Sequence, residues 1–241
     1  MCEQNAVFCS RFLLRVNRGQ WLFGAGRAMP SAMMQSLFDK SGNRKYLVAK
    51  ERQAFASAAT TEGGAIATFC LTLAVTGARI SEVLALTSSR IDSENRAVVF
   101  ETLKQRKRGV FRAVPVPDGL IQLIELTHSG TESGQRLWPW GRTAAWKCIK
   151  RVMSKAGIAK RLSMPKALRH AFAVEAGQQC VPLNIVQRWL GHARIETTAI
   201  YAGALGDEER CLASRSWKSL EETISKQTSA HLMSVRTQER D

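Results

Sequence analysis

Tyrosine is scarce in this sequence, and long apolar runs are absent from it. Only Tyr46 and Tyr201 occur among its 241 residues. The longest run without a charged side chain, residues 63–78, is shorter than the roughly 20 apolar residues that a membrane-spanning helix needs. Arg15 and Arg18 interrupt the apolar residues near the start of the chain, which argues against a signal peptide. We therefore expect a cytoplasmic protein without a membrane partner.

Patterns that hold metals or nucleotides are also missing. The six cysteines include no CxxC pair, and no histidine stands at a metal-ligand spacing from them. The sequence has no cluster of paired carboxylates suited to Mg²⁺ beside phosphates, and no GxxxxGK[ST] loop. We interpret the cysteines as buried or incidental thiols. The expected chemistry uses neither a metal nor a nucleotide cofactor.

Acidic residues are few relative to basic ones, and the basic excess is concentrated. Lys and Arg number 35 against 20 Asp and Glu, a formal charge of +15. Residues 133–174 contain ten basic residues and no acidic one, and five more basic residues lie within 104–112. A uniform excess would indicate only solubility, but two concentrated patches favour contact with nucleic-acid phosphates. After Tyr201 the balance reverses to six basic and seven acidic residues, so we exclude that segment from the surface.

The apolar pattern predicts a mostly helical α+β domain with a small β-sheet. Segments 97–100 and 110–116 are predicted strands, with a basic loop between them. The predicted helices are 50–58, 65–76, 79–86, 119–127, 144–156, 167–179, 183–190, a short one near 197–201, and 207–224. Trp146, Ile149, Val152 and Met153 are the expected core stripe of the 144–156 helix. We expect a short lead-in at 1–45, a catalytic domain at 46–224 and a polar tail at 225–241.

One tyrosine and a set of cations suit phosphoryl transfer. Guanidinium groups bind phosphate oxygens through two hydrogen bonds and keep their charge, so paired arginines suit the scissile phosphate. A tyrosine hydroxyl can attack phosphorus to form a covalent phosphotyrosine, and a lysine can protonate the departing deoxyribose oxygen. The candidate catalytic residues are Arg79, Lys104, Lys166, Arg169, His192 and Tyr201.

Four motifs in order carry a resemblance to a known family. They are TGARISEVLAL at 76–86, LRH at 168–170, WLGH at 189–192 and TTAIY at 197–201. Together they resemble the two arginine boxes and the nucleophile segment of the tyrosine recombinases, the phage-integrase type of site-specific DNA recombinase. The resemblance covers residues 46–220. It implies a mostly helical catalytic domain with a small antiparallel β-sheet.

The resemblance also implies a role for each matching residue. Arg79 and Arg169 would clamp the scissile phosphate, His192 would hydrogen-bond a non-bridging oxygen, and Tyr201 would attack and form a 3′-phosphotyrosine. The general acid would be the lysine of the β loop. Lys104 follows the first strand directly, as the family lysine does, whereas Lys107 fits better when counted back from Pro115. We prefer Lys104 and keep Lys107 as the alternative.

Supporting roles are expected for two further residues. Glu82 would orient Arg79 or hold the structure, and His170 would pack or support the site without touching the phosphate.

Two features depart from the family pattern. Lys166 stands three residues before Arg169, where the family usually has histidine, and a protonated lysine donates hydrogen bonds but is a poor base. The roughly 45 residues before the catalytic region are too few for the amino-terminal core-binding domain that the family normally carries. We therefore expect a minimal recombinase, a partner of another DNA-binding protein or a truncated copy.

Double-stranded DNA is the expected partner, bound by a homotetramer on paired sites in the cytoplasm, in association with the nucleoid. The biological outcome would be integration, excision or resolution of a mobile element. Two alternatives remain: a type IB topoisomerase-like relaxation activity, and a catalytically impaired accessory DNA-binding protein. The predicted DNA-binding residues are Arg106, Lys107, Arg108, Arg142, Lys147, Lys150 and Arg151.

Overall fold

The computed structural model of the chain describes residues 37–102, 109–132, 134–201, 214, 217, 220, 221 and 224–228. The chain divides into two units, with the boundary between residues 202 and 203. In the second unit every described residue is helical, up to residue 228 and so past the predicted helix end at 224. Most of the predicted lead-in and the whole basic loop at 103–108 lie outside the described residues.

The first unit is mostly helical with a small antiparallel sheet, which confirms the predicted fold class. Two 3₁₀ turns, Ser88–Arg90 and Lys160–Leu162, lie between the helices and strands. The elements are α1 Ala49–Glu62, α2 Gly64–Thr76, α3 Ile80–Leu84, β1 Ile91–Asp92, β2 Ala97–Glu101, β3 Phe111–Pro115, α4 Asp118–Thr127, α5 Arg142–Lys155, α6 Pro165–Gln178, α7 Leu183–Leu190 and α8 Glu196–Ala199.

The three strands form a sheet in the order β1-β2-β3, with both pairs antiparallel. Val99 of β2 lies opposite Ala113 of β3. Side chains of β3 alternate in burial, with Arg112 and Val114 facing inward. The sequence did not predict β1, because two residues are too few to show a period-two pattern.

Helix α2 is the centre of the core, as its nearly continuous apolar sequence predicts. It packs against α1, α4 and α6, and Phe69 and Leu73 on it are fully buried. Trp138 packs edge-on against Phe69 and donates its indole N–H to the Ala65 carbonyl at 2.9 Å. Burying each large apolar side chain stabilises the fold by about 1.5–3 kcal/mol. This buried helix ends at Gly77, where the backbone turn that begins the site occurs.

Helix α5 is amphipathic, as predicted, but one of its four expected core residues is exposed. Trp146 is 41% exposed, and the Lys150 ammonium lies 4.6 Å from its ring centre. The buried residues of this helix are spaced three and four apart, and this spacing leaves Trp146 beside the stripe. They are Ala145, Cys148, Ile149, Val152 and Met153.

Candidate active site

The turn after α2 places the first arginine. Gly77 ends α2 in the left-handed region at φ 60°, and a Cβ there would lie 2.5 Å from the Phe172 ring. Only glycine fits both restraints. The chain then extends through Arg79, which directly precedes α3. Arg79 binds Glu82 twice, through its backbone N–H at 2.9 Å and its Nη1 at 2.8 Å.

Glu82 joins Arg79 to a second, buried arginine. Its Oε2 accepts a hydrogen bond from Nη2 of Arg112 at 2.6 Å, and both side chains are almost fully shielded from solvent. Burial raises the pKa of Glu82, but the hydrogen bond and charge of Arg112 outweigh that effect and hold the pKa below its usual range. Glu82 is therefore an ionised carboxylate between two guanidinium groups.

Arg112 does not belong to the surface patch at 104–112 in which the sequence analysis counted it. It is only 7% exposed, because it occupies an inward-facing position of β3. Its Nε donates to the Trp189 carbonyl at 2.8 Å and so connects the sheet to the end of α7. The alternation of Arg112 with Val114 along the strand is the sequence signal that could have identified it.

Arg169 lies inside the domain on α6, and backbone carbonyls hold it. Nη1 donates to the Gly77 carbonyl at 2.8 Å and Nη2 to the Leu190 carbonyl at 2.7 Å. Burial, with the nearby charge of Arg79, lowers the pKa of Arg169 to about 10, so the group stays charged at neutral pH. A guanidinium has five N–H donors, which leaves some for an anion.

His192 follows the glycine that ends α7. Gly191 is left-handed at φ 64°, and a Cβ there would come within 3.0 Å of the Arg112 guanidinium. His192 Nδ1 lies 2.8 Å from the Thr198 hydroxyl. Burial, followed by the charge of Arg169, lowers the pKa of His192 to about 3, so its imidazole is neutral at physiological pH. A neutral imidazole has one N–H, which can donate to a phosphate oxygen.

Tyr201 follows α8 and is 3% exposed. Its hydroxyl lies 2.8 Å from Nδ1 of His170 on α6. Burial raises the pKa of Tyr201 to about 12, although the charges of Arg169 and Arg79 act in the opposite direction. The tyrosine is therefore a neutral phenol in this state, within the electrostatic range of both arginines.

The structure thus brings together four of the six candidate catalytic residues: Arg79, Arg169, His192 and Tyr201. Lys166 is exposed on the first turn of α6, and its charge reaches His170. Lys104 lies outside the described residues. An open pocket of about 290 Å³ adjoins His192, and Thr102, Arg112 and Gln187 also line it.

The predicted DNA-binding residues divide into two groups. Arg106, Lys107 and Arg108 lie outside the described residues. The others are on α5, where Arg142 and Lys147 are exposed and Lys150 is half-buried beside Trp146. Arg151 is exposed and forms an ion pair with Glu62 at 3.2 Å.

The described residues contain neither a metal-binding cluster nor a membrane-spanning helix. Within these residues, no three His, Cys, Asp or Glu side chains are grouped so that they could hold a metal ion. In the same part of the chain, no helix has both the length and the apolar character needed to cross a bilayer.

Comparison with known proteins gives one family and one fold. The sequence model of the phage integrase family matches residues 45–206. The tyrosine recombinase XerD of Corynebacterium glutamicum is 32% identical over 144 residues, which are 56% of this chain and 47% of that protein. The chain therefore spans about half the length of the curated relatives that it matches.

Solved structures share the fold at low sequence identity. The crystal structure of XerA recombinase matches with a TM-score of 0.59 and 23% identity, over 71% of this chain and 64% of that one. The Tn1549 transposon integrase in complex with transposon right end DNA matches with a TM-score of 0.56 and 16% identity, over 70% of this chain and 65% of that one.

Proposed function

Because the chain belongs to the phage integrase family, we propose that it is a site-specific recombinase that cleaves and rejoins DNA through Tyr201. The observation that carries this proposal is the position of Tyr201. It is a buried phenol within the electrostatic range of Arg79 and Arg169, and it ends the TTAIY motif, which follows the WLGH motif of His192. A lone core tyrosine has no need of two cations nearby. The arrangement supports attack on a phosphodiester.

The proposed reaction exchanges one phosphate ester for another. Tyr201 Oη attacks phosphorus, the bond to the 5′ oxygen breaks, and a 3′-phosphotyrosine forms. Arg79, Arg169 and His192 would stabilise the charge that develops on the non-bridging oxygens, where each lost donor typically costs about 10²–10³-fold in rate. The leaving oxygen needs a proton, and we propose Lys104 as its source, with Lys107 as the alternative.

The proposed substrate is double-stranded DNA, and the proposed assembly is a homotetramer on paired sites. The exposed cations of α5, among them Arg142 and Lys147, support phosphate contact along the duplex. One structural neighbour is a transposon integrase in complex with transposon DNA. We therefore propose integration, excision or resolution of a mobile element, in the cytoplasm and in association with the nucleoid.

Covalent trapping tests the proposal. The purified chain is incubated with nicked suicide duplexes carrying a randomised central region, and adducts are separated on a denaturing gel. We expect an adduct whose peptide map places the DNA on Tyr201. Tyr201→Phe abolishes it, because phenylalanine has no nucleophilic oxygen. Tyr46→Phe is the matched control, since Tyr46 is the other tyrosine and is also buried; this variant keeps the adduct.

Two results would contradict the proposal. Binding to duplex DNA without any adduct would favour an accessory DNA-binding protein. Relaxation of a supercoiled plasmid that carries no recombination site would favour a topoisomerase-like activity, which needs no paired site.

A further inference from the structure

Among the described residues, His170 lies within hydrogen-bond distance of the hydroxyl of Tyr201, the proposed nucleophile. Its Nδ1 lies 2.8 Å from the hydroxyl of Tyr201, and both side chains are buried. The two rings are tilted, with centroids 5.7 Å apart. His170 follows Arg169 directly on α6, so the helix that positions one phosphate ligand also positions this imidazole.

The second ring nitrogen of His170 has no hydrogen-bond partner among the described residues. Nε2 is fully buried and unpaired. A histidine kept only for packing usually satisfies both nitrogens, because an unpaired buried polar atom lowers stability. Within the described part of the chain, the hydrogen bonding of this imidazole is therefore directed at Tyr201 alone.

The surroundings keep His170 unprotonated at neutral pH. Burial, followed by the charges of Lys166, Arg169 and Lys45, lowers the pKa of His170 to about 4. Among the described residues, His192 and Tyr201 are titratable neighbours of this imidazole, and the charges of Arg79 and Arg112 also act on His192. At neutral pH the imidazole therefore has a lone pair on one nitrogen. Acceptance of the tyrosine proton requires the tautomer that has this lone pair on Nδ1, where it accepts the O–H of Tyr201 at 2.8 Å.

Lys166 does not fit the same role. Lys166 occupies the position where tyrosine recombinases usually have histidine, but its side chain is exposed. No hydrogen bond or ion pair of Lys166 occurs among the described residues, whereas His170 contacts the phenol directly. An ammonium group has three donors and no lone pair, so it can bind phosphate but cannot accept the tyrosine proton.

We propose that His170 is the general base that accepts the proton of Tyr201 during strand cleavage, an inference that rests on the proposed function. As Oη forms its bond to phosphorus, the phenolic proton moves to Nδ1 and His170 becomes an imidazolium. The bond from phosphorus to the 5′ oxygen breaks, and that oxygen takes its proton from the general acid. During rejoining, the 5′ hydroxyl attacks the phosphotyrosine and gives its proton back to the deprotonated general acid. The bond from phosphorus to Oη breaks, and His170 returns its proton to Oη.

The test compares His170→Asn with the wild-type chain in single-turnover cleavage of the randomised nicked duplexes. The amide oxygen of asparagine can accept a hydrogen bond near the position of Nδ1, but it cannot take up a proton. We expect His170→Asn to cleave about 10²–10⁴-fold more slowly, the usual contribution of a general base. His128→Asn is the matched control. His128 contacts Thr68 and is not a candidate catalytic residue, so we expect this variant to keep the wild-type rate.

The pH profile separates a base from a positioning residue. Without the base, the reaction depends on ionisation of Tyr201, so the ratio of wild-type to His170→Asn rates should fall about tenfold per pH unit between pH 6 and pH 8. A merely structural defect would give a ratio that does not change with pH. That constant ratio, or a wild-type rate for His170→Asn, would overturn the inference while the Tyr201 adduct still supported the proposed function.

Nitrogen NMR of ¹⁵N-histidine-labelled protein gives a readout without DNA. At pH 7 we expect Nδ1 of His170 to be unprotonated and hydrogen-bonded, with a shift change in Tyr201→Phe. A protonated Nδ1 would overturn the inference. If wild-type protein forms no adduct at all, the proposed function fails and this inference fails with it.

Discussion

The cations of this protein occupy two contrasting environments. Arg79, Arg112 and Arg169 lie in or beside the interior, where Glu82 and backbone carbonyls bind them at 2.6–2.8 Å. The cations of α5 lie at the surface, where Lys147 is exposed and Arg151 pairs with a single glutamate. Both groups count equally toward the charge of the sequence.

The contrast shows where charge affects stability and where it affects binding. A buried charge that loses its partner destabilises the fold strongly, whereas an exposed ion pair contributes little. The interior arginines are therefore fixed in place before any substrate arrives. The cations of α5 are hydrated, and they are available to polyanions over a wide surface.

Removing the carboxylate of the interior cluster should have the largest effect on stability. Glu82→Gln keeps the shape but leaves Arg112 without a counter-ion, so we expect the free energy of unfolding to fall by about 3–5 kcal/mol. Urea denaturation followed by circular dichroism measures it. Asp118→Asn is the matched surface change, because Asp118 and its partner Arg96 are both exposed. A shift of the urea midpoint as large for Asp118→Asn would contradict the distinction between the two environments.

Acid should reveal the next largest effect, through the histidines of the interior site. The pKa values of His170 and His192 are lowered from 6.5 to about 4 and about 3. Between these pH values the histidines bind protons in the unfolded chain but not in the folded chain. The free energy of unfolding must therefore decrease as pH falls from 6.5 toward 4. Urea titrations at several pH values measure this slope. The double variant His170→Asn, His192→Asn should flatten it, and an unchanged slope would count against neutral imidazoles in the folded state.

The smallest effects should come from single cations of α5, and they should appear in DNA affinity. Each phosphate contact contributes about 0.9 to the slope of log affinity against log salt. Lys147→Ala should lower that slope by about this amount and leave stability unchanged. Fluorescence anisotropy with a labelled nonspecific duplex measures it. Arg151→Ala is the matched comparison: because Arg151 already pairs with Glu62, its slope should change less. Equal slopes for wild type and Lys147→Ala would contradict the prediction that Lys147 on α5 contacts a DNA phosphate.

Most of the fold was predictable because its signals are local. Apolar runs and glycine breaks predicted α2, α7 and their ends at Gly77 and Gly191, and the structure has both glycines in the left-handed region. The prediction that Trp146 is a core residue was wrong, because the apolar stripe of a helix can pass through either of two neighbouring positions, here Ala145 or Trp146. The packing partners of α5 then select one of them.

The candidate site was predictable as a set of residues but not as an arrangement. Motif order identified Arg79, Arg169, His192 and Tyr201, whose catalytic roles stay predictions. The interior position of Arg112 was missed, because its charge was counted with the neighbouring basic loop. The contact between His170 and Tyr201 was missed as well. It joins residues 31 positions apart in sequence, and no periodicity connects them.

The sequence by itself determined the cationic character, the order of the helices and strands, and a single tyrosine at the end of a recombinase-like motif. Those properties depend on residue types and on spacing along one segment. Only the tertiary structure decided which cations are buried, that Glu82 stays ionised between two of them, and that His170 contacts Tyr201. These outcomes depend on burial and on distances between segments remote in sequence, because desolvation and hydrogen bonding act through space.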